Sequence, residues 1–162
     1  MTAVLSIGSN LGDRLGALQA AVDILEPTAV SPVYESAPVD GPPQGDYLNA
    51  VLVCDLDATE AWELAQRAER SRNRERHVRW GPRTLDVDVI VADGEQPEAI
   101  LLPHPRAHER AFVLVPWHDL DPDAVLPGHG RVADLLAVVG TSGVDKRDDL
   151  QLVPPERLSK ES

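Results

Sequence analysis

The feature that most constrains this chain is a run of alternating apolar and acidic side chains directly after a Gly-Pro turn. The turn is Gly81-Pro82, and the run extends from Thr84 to Val91. Proline pushes the residue before it out of the helical region, and a β-branched run after a turn is typical of a strand. Successive side chains of a strand point to opposite faces. The face that we expect to be core consists of Leu85, Val87, Val89 and Val91, and the other face of Thr84, Asp86 and Asp88.

The two aspartates on this strand are candidate metal ligands. Residues two apart on one strand face have Cα atoms about 6.5–7 Å apart, so both carboxylates can lean toward one cation or toward a pair. Magnesium accepts one or two carboxylates and completes its shell with water and phosphate oxygens. Arginines suited to phosphate precede the strand at Arg74, Arg76, Arg79 and Arg83. The alternative is the solvated face of an exposed strand, but the arginines and the Gly-Pro turn favour a phosphoryl-transfer site.

The chain length, the apolar runs and the cysteine count limit the fold class and the cellular compartment. At 162 residues the chain is long enough for one domain with a proper core. No apolar run approaches the ~20 residues of a membrane span, and the N-terminal residues do not resemble a secretory signal. The single cysteine, Cys54, excludes an internal disulfide and a Cys-rich zinc site. We therefore expect a cytoplasmic protein without a membrane partner, and we expect it to be a monomer.

The charge distribution points to a small polyanionic ligand. A net charge of −12 argues against nucleic acid, whose binding requires neutralised phosphates. Seven of the fifteen basic residues nevertheless fall in one segment: Arg67, Arg70, Arg72, Arg74, Arg76, Arg79 and Arg83. A local positive zone on an acidic molecule suits a nucleotide better than a polymer. A solvated helix face is an alternative that explains Arg67, Arg70 and Arg72 equally well.

Local patterns predict irregularly alternating strands and helices. Strands are expected at 3–7, around 30–36 and at 47–55; helices after Asp13, after Asp57 or Thr59, and at 132–139. The Gly8-Ser9-Asn10-Leu11-Gly12 loop has neither the dinucleotide fingerprint nor a Walker lysine, so we interpret it as a tight structural connection. Periodicity does not decide between helix and strand at 107–117. The pattern favours an α+β sandwich with helices on an antiparallel or mixed sheet.

Residues 1–140 are expected to form a single domain. From residue 141 to 162 the chain is a polar extension, to which 150–153 could add a short strand before a mobile tail.

An aromatic ring and a carboxamide stand together after a long loop. Residues 37–46 hold three prolines and two glycines, which excludes regular structure. The following strand places Tyr47 and Asn49 on one face, where they could stack on a flat heterocycle and read its donor–acceptor edge. Alternatively they are an edge tyrosine and an asparagine near a turn.

Four segments together resemble one enzyme family. They are Gly8-Ser9-Asn10-Leu11-Gly12, Asp46-Tyr47-Leu48-Asn49-Ala50, the block from Arg79 to Asp88 that reads RWGPRTLDVD, and Pro103-His104-Pro105 followed by Arg110 and Phe112. The chain resembles the 6-hydroxymethyl-7,8-dihydropterin pyrophosphokinases of folate biosynthesis from about residue 3 to 139. The resemblance implies a ferredoxin-like α+β domain that moves pyrophosphate from ATP to the pterin hydroxymethyl group, releases AMP and uses two Mg²⁺ ions.

The resemblance also implies residue roles. Asp86 and Asp88 would hold both metals. ATP would be contacted by Glu69, Arg74, Arg76, Arg83, His104 and Arg110, with Arg74 and Arg76 both open as the principal phosphate contact. The pterin would lie between Tyr47 and Phe112, beside Asn49, Ser36, Pro38 and Val39. Independently of the resemblance, the loops at 37–46 and 76–81 flank the proposed site and are rich in proline, glycine or charge. We expect these loops, the second of which contains Trp80, to close over the substrates.

Two other functions remain open from the residues alone. A two-metal phosphohydrolase could use the same carboxylates on a nucleotide without any pterin. A ferredoxin-like regulatory module could bind nucleotide or metal as a signal and show no turnover. Neither alternative explains the combination of Tyr47, Asn49 and Phe112.

Overall fold

A computed structural model describes residues 1–38, 45–72 and 84–155. The strands are β1 Ala3–Ser9, β2 Ala29–Val30, β3 Tyr34–Ser36, β4 Tyr47–Cys54, β5 Asp86–Ala92, β6 Val125–Leu126, β7 Gly130–Arg131 and β8 Val144–Lys146. The helices are α1 Arg14–Leu25, α2 Ala58–Arg72, a 3-10 helix at Ala107–Glu109, α3 Ala111–Leu120 and α4 Val132–Val139. The segment for which the pattern allowed helix or strand is thus helical.

The main sheet has β1 at the centre of the site-bearing strands. Its order is β5-β1-β4-β3-β8, with β2 also pairing β4, and every pair described in it is antiparallel. Strands β6 and β7 form a separate two-stranded sheet. The α+β prediction with a mostly antiparallel sheet is confirmed.

Helices α1 and α2 cover one face of this sheet. Helix α1 starts where the Asp13 carboxylate accepts a hydrogen bond from the Gly16 N–H at 3.0 Å, which satisfies one of the free N–H groups of the first turn. Leu18, Val22 and Leu25 are fully or almost fully buried, as the apolar stripe predicted. On β4 the same core takes Leu48, Ala50, Leu52 and Cys54.

Helix α3 covers the other face at one end only. Val113, Leu114 and Trp117 of α3 pack into a second core with Val51 and Ile90 of the sheet. Helix α4 packs against α3, and its Val132 belongs to the same core. The apolar cover therefore lies at the Val51 and Ile90 end of this sheet face, and polar side chains follow at the other end.

Strand β5 departs from strict alternation near its end. Leu5 pairs with Val89 and Val4 pairs with Val91, so Ile90 is an extra residue on β5. A bulge of this kind places two successive residues against one on the partner strand. The prediction that Val91 shares the face of Val89 is therefore wrong, because Ile90 and Val91 both pack against the second core.

The strand predicted around 30–36 is interrupted. Strands β2 and β3 pair with successive parts of β4, and Ser31, Pro32 and Val33 lie between them. Pro32 has no N–H to donate to the ladder. The Ser31 hydroxyl instead accepts a hydrogen bond from the Val51 N–H at 2.8 Å, so the interruption leaves that donor satisfied.

The last strand lies earlier than predicted. Strand β8 is at Val144–Lys146 and pairs with β3, whereas 150–153 is not a strand. Leu152 nevertheless packs into the first core with 5% of its surface exposed. Residues 156–162 lie outside the described ranges, so the predicted mobile tail and the boundary at residue 140 stay predictions. None of the helices described here is both long and apolar enough to cross a membrane.

Helix α2 begins with a reciprocal cap that can be tested. The Glu60 N–H donates to Asp57 Oδ1 at 2.8 Å, and the Asp57 N–H donates to Glu60 Oε1 at 3.1 Å. We expect Asp57→Ala to lower the free energy of unfolding by about 0.5–2 kcal/mol, because the Glu60 N–H, a free donor of the first turn, loses its acceptor. Urea unfolding measures the change. The control Asp55→Ala removes an exposed carboxylate near the N-terminal amine and should cost less; equal losses would contradict the capping role.

Candidate functional site

The polar end of the α3-covered sheet face gathers residues from four strands. Gly8 of β1 pairs with Asp86 on one side and with Asn49 on the other, so these three form one row across the sheet. The neighbouring row pairs Ser6 with Asp88. Sheet pairing also places Ser36 of β3 opposite Tyr47 of β4. The side chains on this face at this end are Ser6, Ser36, Tyr47, Asn49, Asp86 and Asp88.

The two aspartates are half-buried and share this face. They alternate with Val87, whose side chain lies in the first core. Strand β5 is at the sheet edge, and the Val87 N–H donates to Glu69 Oε2 of α2 at 2.8 Å. Glu69 thus holds the backbone between the two carboxylates. The side chains of Asp86 and Asp88 remain partly exposed, and the choice between a metal site and a solvated strand face stays a prediction.

Tyr47 reaches across β1 to the first aspartate. Its hydroxyl donates to Asp86 Oδ2 at 3.4 Å, although Tyr47 belongs to β4 and Asp86 to β5. A Cβ atom built on Gly8 would lie 3.3 Å from Tyr47 Cδ2 and 3.3 Å from Asn49 Oδ1. Contacts this short are tighter than side chains normally accept, so glycine at position 8 lets the tyrosine ring cross the central strand.

Asn49 is held in one orientation. Its Nδ2 donates to Ser36 Oγ at 2.7 Å, and both side chains are buried. This bond directs Oδ1 toward Gly8, beside the Tyr47 ring. A buried amide fixed in this way offers a defined acceptor to a ligand that stacks on the tyrosine.

His104 is placed by two backbone contacts near the second aspartate. Its N–H donates to the Ile90 carbonyl at 2.8 Å, which ties the 96–106 segment to β5. Burial lowers the pKa of His104, Arg110 and Arg106 act in the same direction, and Asp88 opposes them. The neutral ring accepts the Arg106 N–H at Nδ1 over 3.2 Å. Its proton is then on Nε2, which is a donor suited to an anionic oxygen.

A cavity of about 350 Å³ lies beside Asp88 and His104. Its wall includes Asp88, Glu69 and His104, together with Trp62 and Gln66 of α2. This volume lies within the usual range of small-molecule sites. The cavity therefore has apolar and aromatic walls for a flat group and a carboxylate and an imidazole at one side.

Trp62 and Gln66 line this cavity but were not among the site residues predicted from the sequence. They precede Glu69 by seven and three positions, which places all three on one side of a helix. That spacing was the available signal. Arg67, Arg70 and Arg72 of the same helix are exposed, as the interpretation of a solvated face predicted.

Arg110 and Phe112 lie at the start of α3. The Arg110 guanidinium sits 5.6 Å from the centroid of the Phe112 ring, and the half-buried ring packs against the second core. Phe112 is thus on the same side of the sheet as Tyr47 and the aspartates. Pro38 is half-buried just after β3. The remaining predicted site residues lie outside the described ranges: Val39, Arg74, Arg76, Trp80 and Arg83.

The carboxylates fit magnesium better than a metal with an all-protein shell. Within residues 1–38, 45–72 and 84–155, no three or more His, Cys, Asp or Glu side chains are grouped to hold a metal ion. Magnesium needs no such group, since one or two carboxylates suffice when water and phosphate oxygens complete the octahedron. Asp86 and Asp88 supply that donor set.

Comparison with protein families and curated proteins gives one result. The family model described as 7,8-dihydro-6-hydroxymethylpterin-pyrophosphokinase matches residues 4–122. The 2-amino-4-hydroxy-6-hydroxymethyldihydropteridine pyrophosphokinase of Mycobacterium leprae is 46% identical over 166 residues, covering 92% of this chain and 87% of that protein. The protein of the same name from Mycobacterium tuberculosis is 42% identical and covers 94% of this chain and 89% of its own length. The protein of the same name from Bacillus subtilis is 40% identical, and the match covers 73% of this chain and 77% of that protein.

Solved structures show the same fold at low sequence identity. Plasmodium falciparum HPPK-DHPS with pterin and p-hydroxybenzoate superposes with a TM-score of 0.61 at 12% identity. An HPPK-DHPS in complex with substrates gives a TM-score of 0.64 at 10% identity. Each match covers 85% of this chain, and the chain spans 41% and 43% of those longer chains. At this identity the likeness concerns the fold alone.

The close approach at Gly8 is testable by adding one methyl group. We expect Gly8→Ala to lower the free energy of unfolding by about 1–3 kcal/mol, because the Cβ atom must displace the Tyr47 ring or the Asn49 amide. Urea unfolding measures this loss. In a Tyr47→Ser background the same substitution should cost less, since the ring is gone. An equal cost in both backgrounds would show that the ring does not lie over Gly8.

Proposed function

The chain belongs to the 7,8-dihydro-6-hydroxymethylpterin-pyrophosphokinase family, and from this membership we propose how its residues divide the work. It is an ATP-dependent diphosphotransferase of folate biosynthesis that transfers pyrophosphate to hydroxymethyldihydropterin. The predictions of family, fold and enzyme class made from the sequence are thereby confirmed.

The contact between Tyr47 and Asp86 carries the assignment of the two substrate sites. It joins the stacking wall on β4 to the carboxylates on β5 across a distance of 3.4 Å. A flat heterocycle stacked on Tyr47 would therefore have its reacting arm next to the aspartates. On this basis the pterin lies against Tyr47 and Phe112, Asn49 reads its edge, and Ser36, Pro38 and Val39 line the pocket.

The nucleotide is assigned to the cavity between α2 and β5. Trp62 and Gln66 at one side suit the flat base, and His104 with Asp88 at the other side suits the phosphates and their cation. His104 donates from Nε2 to a phosphate oxygen, and Arg110 adds positive charge. Glu69 lies near the nucleotide and also fixes the β5 backbone.

Further phosphate contacts are proposed from residues outside the described ranges. Arg83 and either Arg74 or Arg76 contact the transferring phosphates, since planar guanidinium groups match phosphate oxygens. Trp80 belongs to a loop that closes over the bound substrates.

Asp86 and Asp88 would hold magnesium, and we propose two ions as the sequence resemblance implies. When bound there, magnesium would supply positive charge that offsets the negative charge of the phosphates facing the incoming hydroxyl group. The pterin hydroxyl oxygen forms a bond to the β-phosphorus of ATP while the bond from that phosphorus to the oxygen bridging to the α-phosphorus breaks. AMP leaves with this oxygen, and the hydroxyl proton passes to water. The side chains act chiefly by positioning the two substrates and by stabilising charge on the transferring group.

Some expectations stay predictions. They are a cytoplasmic location, a monomeric state and the lack of nucleic-acid binding. A phosphohydrolase remains distinguishable by its products, because it would release AMP and free pyrophosphate without pterin.

The overall assignment is tested by product analysis. We expect ATP plus 6-hydroxymethyl-7,8-dihydropterin to yield AMP and the pterin pyrophosphate, and we expect a chelator to stop the reaction until Mg²⁺ is restored. Chromatography of nucleotide and pterin products measures both. AMP formation that proceeds equally without pterin would favour a hydrolase, and saturable ATP binding without turnover would favour a regulatory module.

The metal assignment is tested at the second aspartate. We expect Asp88→Ala to lower kcat/KM by more than about 100-fold, since even outer partners of metal sites typically account for 10–100-fold. Thermal unfolding should change little, because Asp88 is only half-buried. The control Asp123→Ala changes a carboxylate that is 93% exposed in its side chain and should keep full activity. Near-normal turnover of Asp88→Ala would refute its role as a metal ligand.

A further inference from the structure

The connection between β1 and α1 contacts both strands of the proposed pterin wall. Arg14, the first residue of α1, donates from Nη1 to Glu35 Oε2 of β3 at 2.6 Å and to the Asp46 carbonyl at 3.1 Å. Asn10, which is 6% exposed, donates from Nδ2 to the Gly45 carbonyl at 3.1 Å. Asn10 of the turn and Arg14 of α1 therefore both contact the residues that directly precede β4, and Arg14 also contacts Glu35 within β3.

These contacts lie one residue away from the pterin-facing side chains. Glu35 directly precedes Ser36, and Asp46 directly precedes Tyr47. Because strand side chains alternate, Glu35 points to the sheet face opposite that of Ser36. Arg14 thus contacts the two strand ends on one sheet face, and Ser36, Tyr47 and Asn49 lie on the opposite face, toward the ligand.

The pairing of β3 with β4 next to the proposed pterin wall is short, although β3 also pairs with β8 on its other side. It comprises three residue pairs, of which the last joins Ser36 to Tyr47. The hydrogen bond from Asn49 to Ser36 crosses the same pair of strands. A small splaying of the two strand ends would lengthen that bond and turn the Asn49 amide, and displacements of about 1 Å can cost about 100-fold in catalysis.

We propose that Arg14, acting through Glu35 and the Asp46 carbonyl, is a positioning residue for pterin recognition. The inference rests on the proposed function, since it assigns the β3–β4 wall to the pterin. Arg147 provides an internal comparison. It donates from Nη1 to the other oxygen of Glu35 at 2.9 Å and also pairs with Asp149. Its described side-chain contacts do not include the segment before β4, so it contacts Glu35 without bridging the two strands.

The opposite charges of Arg14 and Glu35 favour their contact, but the stability of this ion pair does not account for the bridge. The hydrogen bond from Arg14 lowers the pKa of Glu35, and Arg147 acts in the same direction. The ion pair of Arg14 and Glu35 is partly exposed, at 30% and 26% of the side-chain surfaces, and such pairs contribute little stability. A bridge retained for stability alone would therefore have a small effect, whereas a bridge that sets strand geometry affects pterin binding selectively.

The experiment compares the two ligands on the same variants. The dissociation constant of 6-hydroxymethyl-7,8-dihydropterin is measured by calorimetry with Mg²⁺ and a non-hydrolysable ATP analogue present, and that of the analogue is measured alone. We expect Arg14→Met to weaken pterin binding about 10-fold and analogue binding less than about 2-fold, because only the pterin wall is displaced. Arg147→Met should change pterin binding less than about 3-fold, as partly exposed pairs usually do.

A double-mutant cycle tests whether Arg14 acts through Glu35. Glu35→Met combined with Arg14→Met should weaken pterin binding clearly less than the product of the two single effects, because both remove one bridge. Additive effects, equal weakening of both ligands, or a lower melting temperature with unchanged pterin affinity would overturn the proposal. Should Arg14→Met fail to fold, Arg14→Lys and Glu35→Met carry the same comparison.

The proposed function and the positioning role of Arg14 are refuted by different results. A wild-type chain that forms no pterin pyrophosphate refutes the proposed function. Wild-type turnover combined with unchanged pterin affinity in the Arg14 variants refutes only the positioning role.

Discussion

The backbone pairing of β1 with both β4 and β5 is the interaction on which the site depends. Adjacent strands lie about 4.7–4.9 Å apart, so the two outer strands are held roughly 10 Å from each other with β1 between them. Gly8 occupies the crossing point and adds no side chain there. A tyrosine from one outer strand can consequently touch a carboxylate on the other. A heterocycle and a metal-bound phosphate chain can then meet over the same strand without any further element between them.

The two apolar cores hold the sheet rigid and leave one end of its α3-covered face open. Helices α1 and α2 bury one sheet face along its length, while α3 covers only the part of the other face around Val51 and Ile90. Polar residues could not lie under α3 without partners, since burying an unpaired polar group is costly. They are instead satisfied by each other, as in the bond between Asn49 and Ser36. The uncovered end is thus a consequence of where the second core stops.

Sequence reasoning succeeded where one local period decides the structure. Alternation placed Asp86 with Asp88 and Tyr47 with Asn49, and helical spacing placed the buried side of α1. The predictions are wrong where a residue distant in the sequence determines the structure. The bulge that turns Val91 depends on pairing with β1, and the last strand forms where β3 offers an edge to Val144–Lys146. The role of Gly8 depends on a ring almost forty positions away, so the local motif alone suggested only a turn. Val39, Arg74, Arg76, Trp80 and Arg83 lie outside the described ranges, and their roles stay predictions.

Strand β8 closes one side of the main sheet, and this has a consequence for self-association. An open strand edge is a template for intermolecular pairing, and proteins blunt such edges with short strands and lysines. β8 is three residues long and ends in Lys146, whose ammonium group lies 3.4 Å from Asp119 of α3. Residues 144–146 therefore cover the edge of β3, and a chain shortened before residue 144 would leave that edge open to pairing with another molecule.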